Sequence, residues 1–198
     1  MIGLIIDTIK ALKKLMKKLV VTLFLCGITL VIKAQDASVE KSIFGVQTGL
    51  FGVWVHNEVR LSDKFVLRCE IGLDSGIHND DFLMAPGISV EPKFYYNLNK
   101  RLSKSKEITG NSGNFLSLKT SFHPDWFIIS ESDNYNVSNQ ISIVPTWGMR
   151  RNIGKHFNYE LGFGIGWLHE FAETINNFKF EANNEAAINL HTRIGYRF

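Results

Sequence analysis

The chain has 198 residues, with 22 lysines and arginines, 19 aspartates and glutamates, and a formal net charge of +3. The first 34 residues hold six of the basic residues and one of the acidic residues, so residues 35–198 carry 16 basic against 18 acidic side chains, a net charge of −2. A nucleic-acid partner therefore has no support in the composition. Cys69 is the only cysteine after residue 34, which excludes an intramolecular disulfide there.

The N-terminal region has the composition of a secretory signal peptide. From Met16 it reads "MKKLVVTLFLCGITLVIKAQ", two lysines followed by an apolar run and a small residue, Ala34. The apolar run from Leu19 to Ile32 is short for a membrane-spanning helix. We expect residues 1–34 to be an N-terminal extension and signal peptide, and residues 35–198 to be an exported domain.

Alternating apolar and polar residues then follow one another as strand patterns, with helical character confined to the basic stretch near residue 100. The clearest pattern is "FNYELGFGIGWLHEF", in which large apolar residues alternate with polar residues and glycines. The eight predicted strands are Ser42–Gly49, Gly52–Leu61, Phe65–Ile77, Met84–Leu98, Phe115–Ile128, Gln140–Asn152, Phe157–Phe171 and Ala186–Phe198.

The four prolines fall inside these predicted strands, at Pro86, Pro92, Pro124 and Pro145. Proline removes a ladder hydrogen bond, so we expect some of them to mark bulges or strand ends.

Two all-β architectures fit such a pattern, a soluble sandwich and a transmembrane barrel. Strands of ten or more residues are long for a soluble domain and suit a tilted membrane strand. Aromatic residues also concentrate near the strand ends, as they do at membrane interfaces. The predicted fold is an eight-stranded antiparallel up-and-down transmembrane β-barrel, and the soluble sandwich is the alternative.

The predicted loops differ in charge between the two ends of the barrel. With both termini in the periplasm, the inner turns are rich in lysine and arginine, as in "NKRLSKSKE". The outer loops form an acidic rim, with Asp80, Asp81, Glu131, Asp133, Glu173, Glu181 and Glu185 against Lys179 alone. Either these charged loops are simply solvated, or the acidic rim binds divalent cations and the basic turn contacts an anionic partner.

The last strand carries the most specific pattern, with Phe198, Tyr196, Ile194 and Leu190 on one face and Thr192 as a polar exception. With the export signal and eight strands, the chain resembles the small Gram-negative outer-membrane barrels of the OmpA/OmpX/OmpW-like group. The resemblance implies a location in the outer membrane, in contact with its lipid, and a last strand that the barrel-assembly machinery recognises. Tyr196 and Phe198 would then form the assembly signal.

Strand parity also predicts what fills the barrel. Fourteen charged residues fall on the inward parity, seven of each sign, and an eight-stranded barrel has little room beyond its own side chains. Because unpaired buried charges are costly, this balance predicts a closed, salt-bridged interior. The predicted central network is Arg68, Glu70, Glu91, Lys93, Arg150, Glu160 and Arg193; the remaining inward charges are Glu58, Arg60, Asp74, Lys119, Asp125, Glu170 and Arg197.

Catalytic signals are weak. Ser121, His123 and Asp125 share one strand parity, and His169 adjoins Glu170, but no nucleophile elbow accompanies them. The six histidines show no paired metal-ligand spacing, so no metal, cofactor or catalytic residue is predicted. The expected role is structural or interactive at the cell surface; the alternatives are a small-solute channel and a lipid A-modifying hydrolase or acyltransferase.

Overall fold

In a computed structural model, the structure describes residues 37–78, 81–130, 138–175 and 178–198. The predicted signal peptide and three of the acidic loop residues, Asp80, Glu131 and Asp133, lie outside the described residues. The described part of the chain is all-β, which confirms the predicted fold class.

The strands run in chain order with two short helical turns between β4 and β5. The helical turns are α1 (Leu98–Leu102) and a 3-10 turn at Thr109–Asn111. Among the described residues no helix has the length and apolar character needed to cross a membrane. The strands are β1 Ser42–Gly49, β2 Gly52–Arg60, β3 Phe65–His78, β4 Asp81–Tyr95, β5 Asn114–His123, β6 Ile129–Ser130, β7 Gln140–Ile153, β8 Phe157–Glu170, β9 Glu173–Ile175, β10 Phe178–Phe180 and β11 Asn183–Arg197.

Nine of these strands form one antiparallel sheet that closes into a ring. The order around the sheet is β3-β2-β1-β11-β8-β7-β5-β4-β6, and pairing of β3 with β4 closes it. Eight strands have a neighbour on both sides, whereas the two-residue β6 pairs only with β4. The sequence did not predict β6, nor the small hairpin of β9 and β10.

The strands are strongly staggered around the ring. Register pairs followed from Val46 through β2, β3, β4, β5, β7 and β8 reach Asn184 on β11. Val46 itself pairs with Tyr196, twelve residues further along that strand (196 minus 184). A stagger of this kind requires strands tilted to the barrel axis, and eight strands enclose a lumen that side chains can fill.

Side chains alternate between the lumen and the outer face, as β8 illustrates. Phe163 and Ile165 point outward and are more than half exposed, whereas Gly162 and Gly164 face the lumen. A Cβ atom at Gly162 would collide with the imidazole of His191, so this glycine leaves room for an inward histidine. The "GFGIG" stretch is therefore a packing feature of the barrel wall.

The prolines remove ladder pairs without shifting the register. The β4–β5 ladder lacks the pairs at Glu91 and Pro92, and the β7–β8 ladder lacks those at Val144 and Pro145. The register is the same on either side of each gap, so Pro92 and Pro145 do not mark bulges and inward parity continues past them. Pro124 follows the last residue of β5 and marks a strand end.

Two predicted strand ends are wrong. The strand predicted to reach Ile128 ends at His123, because the next residue is a proline, and Asp125 is exposed outside any strand. The strand predicted to reach Leu98 ends at Tyr95 and is followed by α1. Leu98 is fully buried, so it begins a turn that packs under the barrel.

A small apolar core closes the end of the barrel at which β1 begins and β11 ends, the proximal end. Segment 96–113 folds across this end, and Asn111 links it to the N-terminal segment by accepting the backbone N–H of Glu40 at 2.8 Å. The proximal end is therefore covered by protein. The core residues are Ala37, Val39, Val66, Tyr95, Leu98 and Phe115.

Candidate functional site

Arg150 lies at the centre of the barrel interior, between two glutamates from other strands. Its Nη2 atom lies 2.5 Å from Glu58 Oε1 and 2.5 Å from Glu160 Oε2. Its Nη1 donates to Glu58 Oε2 at 2.9 Å and its Nε to Glu160 Oε2 at 2.8 Å. Each of the three residues is 1% exposed, so one guanidinium ties β7 to β2 and β8 inside the lumen.

Lys93 supplies a second cation at the same level. Its ammonium donates to Glu160 Oε1 at 2.8 Å and lies 3.4 Å from Glu91 Oε2. It also sits 4.2 Å from the centre of the Phe115 ring. Glu91 in turn accepts a hydrogen bond from the Ser117 hydroxyl at 2.6 Å. These contacts give the buried ammonium carboxylate and aromatic partners in place of water.

Glu70 organises the part of the network nearer the other end of the barrel, the distal end. Its carboxylate accepts hydrogen bonds from Arg68 Nε at 3.0 Å and from Arg193 Nη1 at 2.8 Å, and Lys119 Nζ lies 3.5 Å away. The Arg193 guanidinium stacks 3.8 Å above the ring of Trp54. Arg68 also reaches Glu58 and Glu160 at 3.5 and 3.6 Å, and so connects the two levels.

All seven residues of the predicted central network lie in this interior cluster, together with Glu58 and Lys119. In this cluster, as far as the structure describes the chain, five cations share four carboxylates, whereas the predicted balance of seven of each sign referred to all fourteen inward residues. The other five predicted charges lie elsewhere: Asp74 contacts His123, Arg197 contacts Glu40, Arg60 and Glu170 are half-buried, and Asp125 is exposed.

Neutral polar residues complete the network, although the sequence prediction, which was based on charged residues, did not include them. Gln47 Oε1 accepts a hydrogen bond from Arg68 Nη2 at 2.6 Å, and Gln47 Nε2 donates one to Asn158 Oδ1 at 3.3 Å. Both lie on the inward parity of their strands, which could have revealed them. Asn111 donates to Glu58 Oε2 at 3.0 Å from outside the ring strands, where strand parity gives no signal.

The distal end contains a cavity of about 530 Å³ above the network. Its wall includes Trp54, Asp74, Lys119, His123 and Arg193. Asp74 accepts the indole N–H of Trp54 at 3.0 Å and lies 2.9 Å from Nε2 of His123. The arrangement combines cationic, acidic, imidazole and aromatic groups around one space.

The candidate catalytic groups come together only in part. Ser121 and His123 both line the cavity, but Asp125 does not, and Asp74 takes the position beside the imidazole. Within the described ranges no hydrogen bond joins Ser121 to His123, so the contact that would activate a serine is missing. The second candidate, His169, contacts Asn184 at 3.0 Å on the exterior.

The residues predicted as an assembly signal lie at the seam where β11 meets β1. The backbone N–H of Phe198 donates to Phe44 O at 3.1 Å, and their rings lie 5.5 Å apart. The Tyr196 ring contacts those of Phe157 and Phe198 edge to face. The terminal aromatic residues therefore cover the closing seam from outside.

No metal centre emerges from the part of the chain that the structure describes, since it holds no group of three or more histidine, cysteine, aspartate or glutamate residues placed to bind an ion. Cys69 is a free, exposed thiol on the outer face. Glu181 and Glu185, from the predicted acidic rim, are exposed.

Comparison with known proteins found no matching family model, no matching curated protein and no matching solved structure.

Proposed function

We propose that this chain is an outer-membrane β-barrel protein with a closed, salt-bridged interior and a structural or surface-interaction role. The observation that carries this proposal is the inverted distribution of polarity. Charged residues are buried inside the ring, whereas large apolar residues cover its outer face. Water-soluble barrels bury apolar groups, and a lipid solvent favours the reverse.

The apolar outer face extends around the whole ring, which supports a lipid environment. Its exposed apolar side chains come from every ring strand, which exceeds the apolar patches usual on soluble monomers. Outer-membrane lipid would be the direct partner of this face. Representative residues are Phe44, Val55, Ile71, Val90, Leu118, Ile143, Phe163, Ile165, Ile188 and Leu190.

Aromatic residues at both ends of the barrel support the same environment. At the proximal end the Trp147 indole N–H donates to the Tyr96 hydroxyl at 2.9 Å, and Phe65 stacks on Phe94. At the distal end the exposed aromatic residues include Trp126 and Trp167. Amphipathic rings favour the boundary between lipid and water, so two such belts suit a membrane-spanning wall.

The interior contacts favour a closed barrel over the channel alternative. Glu58, Arg150 and Glu160 join opposite walls of the lumen, and segment 96–113 covers the proximal end. An ion would have to displace charge-assisted hydrogen bonds to pass. The lipid A-modifying alternative is less supported, because the Ser121 hydroxyl is not hydrogen-bonded to His123 within the described ranges.

Conductance in a planar lipid bilayer tests the closed interior. The purified protein is expected to give no steady current. Replacing Glu58 and Arg150 together by alanine removes one charge of each sign and much side-chain volume from the lumen. It also removes the Glu58–Asn111 hydrogen bond that holds segment 96–113 over the proximal end, so this double variant should conduct. Replacing Glu181 and Lys104, two exposed loop residues, is the matched control and should not conduct. Steady, ion-selective openings in the unmodified protein would overturn the closed barrel and favour a channel.

Cell fractionation tests the membrane location separately. The protein should remain in the outer-membrane pellet after an alkaline wash and should show a heat-dependent shift in electrophoretic mobility, as folded membrane barrels do. Recovery of folded protein in the periplasmic fraction would contradict the proposed location.

A further inference from the structure

The distal cavity has a charge pattern that the closed-barrel role does not use. Its floor holds the cations Lys119 and Arg193, and Glu70 is the one carboxylate within ion-pair distance of either in the described ranges. Lys119 and Arg193 share this carboxylate with Arg68, which also contacts Glu58 and Glu160. Asp74, higher in the wall, is already engaged by Trp54 and His123.

Hydrogen-bond donors at this floor remain available. The ammonium of Lys119 has three protons and approaches Glu70 only at 3.5 Å. Arg193 is 4% exposed, and its buried Nε has no hydrogen-bond acceptor among the described residues. A buried cationic donor without an acceptor is costly, and an anionic group placed against it would relieve that cost.

The walls above the floor are partly apolar. Trp54, Phe51, Val144, Leu168 and Ala187 contribute ring and aliphatic surface to the cavity. A volume of about 530 Å³ falls within the range of small-molecule sites, roughly 300–1,000 Å³. A ligand that matches this lining has one charged end and an apolar body.

We propose that the distal cavity binds a small amphipathic anion. Its carboxylate or phosphate head contacts Lys119 and Arg193, and its body packs against Trp54 and Leu168. Such binding goes beyond a structural role and depends only on the lumen. It therefore stands or falls independently of the conductance and fractionation results.

The indole N–H signal of Trp54 provides a direct measurement, because Trp54 stacks on Arg193 and donates to Asp74 at the cavity wall. The full protein in nonionic detergent is titrated with octanoate and with octyl phosphate, and the Trp54 signal is assigned with W54F. Both anions should shift this signal in a saturable way. Octan-1-ol and octylammonium, which share the apolar body, should not.

Variants locate the site. Lys119→Gln should weaken anion binding by about tenfold or more, as expected for loss of a charge-assisted contact. Lys104→Gln, the same change on an exposed loop, should leave the affinity unchanged. Ala187→Trp fills the cavity without changing its charge and should abolish the shift, which keeps the test decisive if Lys119→Gln does not fold.

The source of the anion is tested with lipid discs. A Trp54 shift in discs of phosphatidylglycerol, absent in phosphatidylcholine, would support binding of a lipid headgroup. A shift that requires added octanoate in both kinds of disc would support a soluble ligand. Equal responses to octanoate and octan-1-ol, no saturable shift with either anion, or unchanged affinity in Lys119→Gln would overturn the proposal.

Discussion

Buried charged residues in this barrel depend on one another, and Arg150 shows how closely. Its guanidinium makes four contacts of 2.9 Å or less with Glu58 and Glu160. Loss of one partner from a buried ion pair is costly because the remaining charges stay in a medium that solvates them poorly. Removing Arg150 would leave two glutamates with Lys93 and Arg68 as the only nearby arginine or lysine side chains among the described residues.

We predict that Arg150→Met lowers the free energy of unfolding by about 3–5 kcal/mol, the usual cost of breaking a buried pair. Urea unfolding in detergent, followed by tryptophan fluorescence, measures the change. Lys104→Met is the matched control, since Lys104 is exposed and lies outside the network. Equal unfolding midpoints for the two variants would contradict a stabilising role for the interior charges.

At the scale of elements, strand parity predicted the interior well because a strand has a strict two-residue period. It placed Arg68, Glu91 and Arg193 in the lumen although they are far apart in sequence. Parity failed at Asp125, where a proline ends the strand, and it gave no information on segment 96–113. That segment packs through Leu98 and Asn111, whose burial depends on long-range contacts that no local period encodes.

The cover formed by segment 96–113 yields an element-scale prediction. Asn111 adopts a positive φ of 57°, donates to Glu58 and accepts the N–H of Glu40. Asn111→Ala leaves these groups unpaired and places alanine in a left-handed conformation, so the cover should loosen at a cost of about 1–3 kcal/mol. Limited proteolysis should then cleave within residues 96–113. Ser103→Ala, an exposed change in the same segment, should remain resistant; equal cleavage of both variants would contradict the role of Asn111.

The seam between β1 and β11 yields a second prediction at this scale. Phe198 packs on Phe44 and Tyr196 where the ring closes. We expect Phe198→Ala to reduce the yield of folded, membrane-inserted protein more than Phe171→Ala, which removes an exposed aromatic ring away from the seam. Densitometry of the heat-modifiable band in outer-membrane fractions measures both yields. Similar losses would indicate that the terminal aromatic residues have no special part in assembly.

At the scale of the whole molecule, the proposed outer-membrane location requires the predicted signal peptide, since an outer-membrane protein must first leave the cytoplasm. The apolar run before Ala34 ends in a small residue followed by Gln35. We predict that protein recovered from the envelope begins at Gln35. Intact-mass measurement decides the matter, and a mass that includes residues 1–34 would contradict processing at this site.

The solvent around the outer face gives the last prediction. Ile71 lies midway along β3, pairs with Ile88 at the middle of β4, and is 55% exposed. In water an exposed isoleucine can be replaced at a cost within about 0.5 kcal/mol. In lipid an arginine near the bilayer midplane costs about 2–4 kcal/mol, and near the interface about 0–1 kcal/mol.

Ile71→Arg should therefore strongly reduce stability in lipid vesicles, whereas Leu50→Arg, in the distal turn between β1 and β2, should have little effect. Urea unfolding of both variants in vesicles measures the difference. Near-neutral values for both would mean that water, and not lipid, surrounds the middle of the barrel.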